Sequence, residues 1–450
     1  MTTIALFFYM LCLLAAALQW PLLAAFAYLW ITVSHPQTGN SGIFAWQWSL
    51  IIILVFFGSY FVKPHKDFSV KSSVFTSVLI FYTWTTFTTF FAFVPSVAWS
   101  LWWEFTRVII AFVAIGGAIS NRRDLNLAVW AILAGVASVA LSGMLQVVLT
   151  GGASQVRGPA GAEFADNNTV ARLFGVSCLP FALFFSFHSQ NVLVRKISQG
   201  IAAASVIAII GTSSRGAFVA LAATFLFWVF ISRRRTVLLV RAGVLILILG
   251  VAMSANGTRN FLSRMQTIED VGTGSEDQSM QGRYFAWNYA MRVADVRPIT
   301  GGGFGAFRLS EDSSNTDGTG SWKDAHSIYF EALGEQGYVG LALYLFMLLG
   351  AFQKAQSIKR RCKGKPEFYW ERDLATATQL SLVFYLVGGL TISSTYVQFM
   401  FLTLLIIAVL DKITAAAKVT VVRQPALDML APSPNFQTGS PSTASRDVPG

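Results

Sequence analysis

Apolar runs recur from one end of the chain to the other, separated by short polar or basic links. A helix rises about 1.5 Å per residue, so some 20 apolar residues cover a hydrocarbon core of roughly 30 Å. Residues 4–18 and 21–33 make the first pair, broken at Gln19-Trp20-Pro21. Proline suits a helix's first turn, where its missing N–H costs nothing. Runs at 50–62, 74–93, 104–120, 127–149, 170–187, 197–211, 217–231 and 244–254 follow. After a long polar interruption come 338–352, 375–391 and 396–410. The pattern predicts an all-α polytopic membrane protein with about 12–13 transmembrane helices. A β-barrel would show shorter, alternating segments.

The interruption, residues 255–337, reads as one large loop of short helices and turns. It holds half of the 22 acidic residues and seven of the 33 Lys and Arg. Such a segment is too long for a mere connection and too mixed for filler. The expected organisation is an N-terminal bundle (1–120), central helices with Arg-bearing loops (121–254), the loop (255–337), C-terminal helices (338–412) and a Pro/Ser/Thr-rich disordered cytoplasmic tail (413–450).

Charge adds topology. The net charge is +11, and the cations cluster between apolar runs, as in Arg122-Arg123, Arg195-Lys196, Arg233-Arg234-Arg235 and Lys359-Arg360-Arg361. Under the positive-inside rule these are cytoplasmic anchors, not a nucleic-acid surface. Read alternately, the most basic links share one side, and the loops with Arg157, Arg215 and the long interruption share the other. The large loop is therefore expected to be extracytoplasmic. Cys12, Cys178 and Cys362 have neither disulfide nor zinc-ligand spacing. The N-terminus lacks a charged n-region and cleavage site, so it reads as a retained membrane segment.

Candidate chemistry gathers on the outer face. Arg215 follows Ser213-Ser214 at a hairpin tip where a helix starts, a place suited to phosphate. Arg157 and Asn167-Asn168 precede another helix start, the Asn and Thr residues reading as its caps. Arg283 and His326 come from the long loop, and a neutral imidazole is the usual general base near pH 7. Bland alternatives stay open: Arg215 as an interfacial anchor, Arg283 as a solvated charge, His326 as a loop histidine with Asp324 capping the next helix. Glu104 and Arg107, three apart, read as a snorkelling interfacial pair. Residues 301–305, with four glycines, read as a tight turn and not a dinucleotide fingerprint, since no strand precedes them. The acidic pairs Glu269-Asp270 and Glu276-Asp277, in a Gly/Ser-rich setting, are a weak signal for a metal site. Outside the cytoplasm there is no ATP, so group transfer there needs a pre-activated donor such as a lipid pyrophosphate. Its leaving group calls for cationic stabilisation.

The order of motifs carries a resemblance. It runs from Arg157-Gly158-Pro159 with Asn167-Asn168, through Ser213-Ser214-Arg215-Gly216, to Gly282-Arg283 with Trp287 and the glycine turn. It ends at His326-Ser327, Tyr329, Leu333-Gly334-Glu335, Gly337 and Gly340-Leu341. In this order the chain resembles the O-antigen ligase and O-antigen polymerase superfamily. The N-terminal hairpin with Ser34-His35-Pro36-Gln37 resembles the exosortase A-associated O-glycosylation ligases. The resemblance implies a multi-pass protein of the bacterial inner membrane with its active site facing the periplasm. It implies metal-independent, cofactor-free, inverting transfer of a glycan from an undecaprenyl-pyrophosphate carrier to a hydroxyl on a protein or lipid acceptor. His326 would activate that hydroxyl, Arg215 and Arg283 would neutralise the pyrophosphate, and Arg157, Asn168 and Tyr329 would line the donor site. The family often has Asn where Ser327 stands. A polymerase of the same superfamily is the near rival. A transporter or flippase would show broken polar helices and an inverted repeat, and no convincing repeat is present.

Overall fold

The computed structural model describes residues 15–36, 48–62, 68–232, 278–308 and 324–428. Several expectations fall outside these: the start of the first apolar run, the Arg233 triplet, the run at 244–254, the acidic pairs at 269–277 and the tail beyond Asp428. Within the described residues the protein is an all-α polytopic membrane protein. Six helices there are long and apolar enough to cross a membrane, and three shorter ones are also apolar.

Helices α1 (Pro21–Ser34), α2 (Trp48–Val62), α3 (Ser73–Thr89), α4 (Pro95–Ala118) and α5 (Arg122–Thr150) open the chain. Pro21 and Pro95 sit in the first turns of α1 and α4. The Trp-rich stretch from Pro95 is thus continuous with the span that follows it. Then come α6 (Asn167–Leu173), a π-helical turn (Phe174–Cys178) and α7 (Leu179–His188), together one span. The π turn has a local cause: Pro180, just after it, has no N–H to donate and its ring crowds the preceding turn.

Helices α8 (Val192–Gly211), α9 (Arg215–Ile231) and α10 (Gln278–Val296) precede α11 (Ile328–Arg361), α12 (Tyr369–Gly388) and α13 (Gln398–Asp428). The large loop of short helices and turns was expected to run to Gly337; a helix runs from Ile328 to a break at Gly337 (φ 69°, ψ −176°), and α11 continues beyond it. That break leaves the Gln336 carbonyl to accept from Trp84 Nε1 at 3.1 Å. The chain forms two compact units, residues 1–413 and 414–450. In the second, residues up to Asp428 are helical, within the tail that the sequence reading began at residue 413.

In the first unit, α1 packs on α2 and α5, α5 on α8, α11 on α3, α10 and α12, and α9 on α12. Burial of apolar side chains such as Phe81, Phe105, Phe181, Phe384 and Phe401 sets the interior. At one end of this unit, polar contacts knit the basic links together. Lys412 Nζ donates to the carbonyls of Gly116 and Gly117 at 3.0 and 3.1 Å, capping α4 where no intrahelical donor remains. Asp411 pairs with Arg361 and, at 3.3 Å, with Lys354. Arg122 meets Glu371 at 3.7 Å. The opposite end gathers the 151–166 loop, the starts of α9 and α11, the glycine turn and the 389–397 turn.

Candidate active site

The glycine turn after α10 docks on the start of α11. Gly302 N donates to Gly334 O (2.9 Å), Gly303 N to Glu335 O (2.8 Å), Gly305 N to Glu335 Oε1 (2.7 Å) and Tyr338 N to Pro298 O (2.9 Å). Residues 301–305 are thus a tight turn, as expected. A Cβ on Gly303 (φ 75°) would sit 2.4 Å from Ala92 Cβ, so the approach itself demands glycine.

His326 lies just before α11 with φ 47°, a left-handed conformation uncommon outside glycine. Ser213, just before the α9 cap, has φ 52°. Both strained residues therefore stand one position before a serine that begins a helix, Ser327 and Ser214. Ser327, not Asp324, is the N-cap of α11. Its neighbourhood is fixed from α10: Trp287 Nε1 donates to Ala325 O at 2.9 Å, and its indole stacks on Phe330 at 5.0 Å. Arg283 is four residues before Trp287 and so shares that face of α10.

On the other side, Asp166 caps α6, its Oδ1 accepting from Asn168 N (2.9 Å) and Thr169 N (3.0 Å). The cap is thus aspartate rather than the Asn or Thr side chains, because Asp166 alone has the extended backbone of a cap position. This leaves Asn168 free to accept from Ser214 Oγ at 2.7 Å, while Asn167 Nδ2 donates to Thr212 O at 3.0 Å. Ser214 in turn accepts from Ala217 N, which places Arg215 at the first position of α9. Arg157 is exposed, and its flanks are pinned by Val156 N to Gly211 O (2.9 Å) and Gly158 N to Ala165 O (3.0 Å).

The 389–397 turn links the two helix starts. Ile328 N donates to Gly389 O at 2.9 Å, and Tyr329 Oη to Leu386 O at 2.8 Å. Glu331 Oε2 accepts from Thr395 N (2.8 Å) and lies 2.7 Å from Thr395 Oγ1. Arg172, fully buried, donates to Ile392 O (3.3 Å) and Ser394 Oγ and lies over the Tyr385 ring. Gly216 of α9 abuts Thr391 so closely that a Cβ would meet its hydroxyl at 2.0 Å. Arg215 and His326 thus stand at helix starts held by one turn, and Asn168 is bonded to the first of them.

Beside this turn lies a cavity of about 590 Å³ between α1, α2, α4, the 151–169 loop and the start of α11. None of the six residues expected from sequence lines it; their chain neighbours Thr169, Asp324 and Ala325 do. Glu104 and Arg107 line it as well, so this pair serves the cavity and not only an interface. Glu163 lines the cavity and is exposed by surface area. Desolvation by the protein packed around it, with the charges of Glu104 and Glu331, pushes its carboxyl up to about 7. Burial also raises Asp324, opposed by His326 and Arg308. Glu163, Glu331 and Arg172 were not singled out from sequence, and Glu335 entered only as a letter of the motif. Glu331 and Glu335 had a signal, since they recur at four-residue spacing after His326; Arg172 sat unremarked inside an apolar run, where a charge calls for a partner.

Residues 200–345 match the O-antigen ligase family. That segment carries Arg215, Arg283, His326 and Tyr329, and it supports the O-antigen ligase superfamily and a membrane enzyme of ligase or polymerase type. Residues 1–190 match a family of unknown function (DUF5935), a segment that carries Arg157, Asn168 and the cavity walls of α1, α2 and α4. No curated protein matches the chain.

Proposed function

We propose that the protein is a glycan ligase of the bacterial inner membrane, working at the periplasmic face. The donor is a glycan on undecaprenyl pyrophosphate, and the acceptor is a hydroxyl on a protein or lipid, as in the exosortase-associated O-glycosylation ligases. The observation that carries this reading is the shared turn at 389–397. It holds the helix start bearing Arg215 and the one preceded by His326, with Arg283 on the α10 face that clasps the same segment.

His326 takes the proton of the acceptor hydroxyl as its oxygen attacks the anomeric carbon. The bond from that carbon to the pyrophosphate oxygen breaks, and its electron pair leaves with the pyrophosphate. Arg215, at a positive helix N-terminus, and Arg283 neutralise that charge. Attack opposite the leaving group inverts the anomeric centre. Arg157 and Asn168 line the donor side. Tyr329 contributes its ring there, its hydroxyl being committed to Leu386 O. Metal and cofactor have no part in this scheme.

The test is glycan transfer in membranes of a deletion strain complemented with the normal chain, His326→Ala or Arg215→Ala at matched protein levels. Loss of transfer in both variants, with full-length glycan accumulating on its carrier, supports ligation. Loss of the chain-length ladder instead would make the protein a polymerase. Full transfer by both variants would remove the proposed site, and flux of carrier-linked glycan into liposomes without transfer would make it a transporter.

A further inference from the structure

The cavity beside the turn has a sharply divided lining. One wall is hydrocarbon and aromatic: Ile53, Leu54 and Phe57 of α2 with Leu101, Trp103 and Ile110 of α4. Leu54, Trp103 and Ile110 are also substantially exposed on the outside of the bundle, so this wall is continuous with the membrane-facing surface. The other wall carries the carboxyl groups of Glu104, Glu163, Asp324, Glu331 and Glu335, against the guanidinium groups of Arg107 and Arg308. Glu335 is only 5% exposed. Its Oε1 takes the Gly305 N–H, while its Oε2 makes no well-formed hydrogen bond, although the Tyr396 hydroxyl lies beside the carboxyl. A buried carboxylate oxygen on a cavity wall is costly without a donor.

We propose that this cavity is the acceptor subsite, and that it takes an amine-bearing amphiphile. The ammonium group pairs with the carboxylates while the stem lies along the α2–α4 wall. The proposal rests on the ligase reading and deepens it. A volume of about 590 Å³ suits one such head group and the start of its chain. Asp324 and Ala325, which line the cavity, directly precede His326, so a hydroxyl beside the ammonium enters next to the proposed base. A second pyrophosphate would meet five carboxyl groups against two guanidinium groups in this space. The acceptor of a polymerase, itself a lipid pyrophosphate, is therefore disfavoured here, and the donor is left to the Arg215 and Arg283 side. Among the described residues no group of His, Cys, Asp or Glu is arranged to hold a metal ion. The acids are strung along the wall, an arrangement for an ammonium with several N–H donors.

The experiment uses the full chain in phosphatidylcholine nanodiscs and a diazirine-bearing dodecylamine as photoprobe. Mass spectrometry should place the label on peptides containing Phe57 and Trp103. Unlabelled dodecylamine should compete about ten-fold better than dodecanol or dodecyl phosphate, the scale of one charge pair in a partly desolvated site. Glu104→Gln and Glu163→Gln should each erode that preference. Equal competition by dodecyl phosphate, or labelling only outside these peptides, overturns the proposal. A farnesyl pyrophosphate photoprobe, run in parallel, separates the two readings. If its labelling depends on Arg215 and Arg283 while the amine preference is absent, only the cavity proposal fails. If it is indifferent to Arg215→Ala and Arg283→Ala, the ligase reading fails and takes the acceptor role with it.

Discussion

The hydroxyl of Ser214 donates to the side-chain oxygen of Asn168 at 2.7 Å, joining the cap of one helix to the first turn of another across 46 residues of sequence. The bond holds the start of α9, and so Arg215, against the 151–169 loop. Asn168→Ala removes the acceptor without touching the Asp166 cap. It should lower transfer about five-fold, the scale of one part-buried hydrogen bond, with chain levels in the membrane unchanged. Transfer assayed in membranes at matched protein checks this, and an unaltered rate would show that the bond does not position Arg215.

Trp287 offers a cleaner test of how α10 serves the site. Trp287→Phe keeps an aromatic ring against Phe330 but loses the N–H donated to Ala325 O. The peptide preceding His326 is then less constrained. Turnover should fall about five- to ten-fold, with little change in the apparent KM for the acceptor.

Arg172 is enclosed, its guanidinium spread over Tyr385 and bonded to Ile392 O and Ser394 Oγ. A lysine reaches only one of these partners and cannot lie flat on the ring. Arg172→Lys should therefore cost about 2–3 kcal/mol of stability and loosen the 389–397 turn. Thermal unfolding in detergent reads the first effect. Loss of transfer at temperatures where the variant is still folded reads the second.

Gly337 breaks α11 with φ 69°, and a Cβ there would sit 2.4 Å from Ile299 O. Gly337→Ala meets both backbone strain and a clash, and should destabilise by about 2–4 kcal/mol. Gly350→Ala, in the same helix with open space around it, should be neutral or slightly stabilising. Equal effects of the two would count against the docking of the glycine turn as the reason for the break.

Glu163 carries a pH dependence of definite sign. Its carboxyl is raised from 4.5 to about 7 by burial and by Glu104 and Glu331, which face it from α4 and α11. The protonated form is the one the fold favours. Its contribution is thus fully present below pH 4.5 and is lost as pH rises toward 7, beyond which the loss is complete. Unfolding temperatures across this window should fall more steeply for the normal chain than for Glu163→Gln. Parallel curves would mean that the carboxyl is not held away from its ordinary value.

Much of the fold was legible in the sequence because membrane spans announce themselves. An apolar run must satisfy its own backbone as a helix, and basic links mark one face. The helix starts at Arg215 and near Asn168 were also readable, from the Ser-Ser and Asp-Asn-Asn segments before them. So was the glycine turn. The reading erred where a choice depends on geometry. Its alternative of Asp324 as the cap of α11 fails, because Ser327 has the cap backbone. A helix boundary in a mixed segment is set by what the turn docks against, here Pro298, Ile299 and Gly302, all distant from it in sequence order.

The sequence by itself determined the class of protein, the placement of most spans and the set of Arg, Asn and His residues worth testing, since each follows from local composition. Only the tertiary structure decided that the 389–397 turn binds the starts of α9 and α11, that Arg172 holds that turn, and that carboxyl groups from three separate segments share one cavity. Those relationships join residues dozens to hundreds of positions apart. They depend on which helix faces meet, and hydrophobic periodicity does not encode that in runs that are apolar all round.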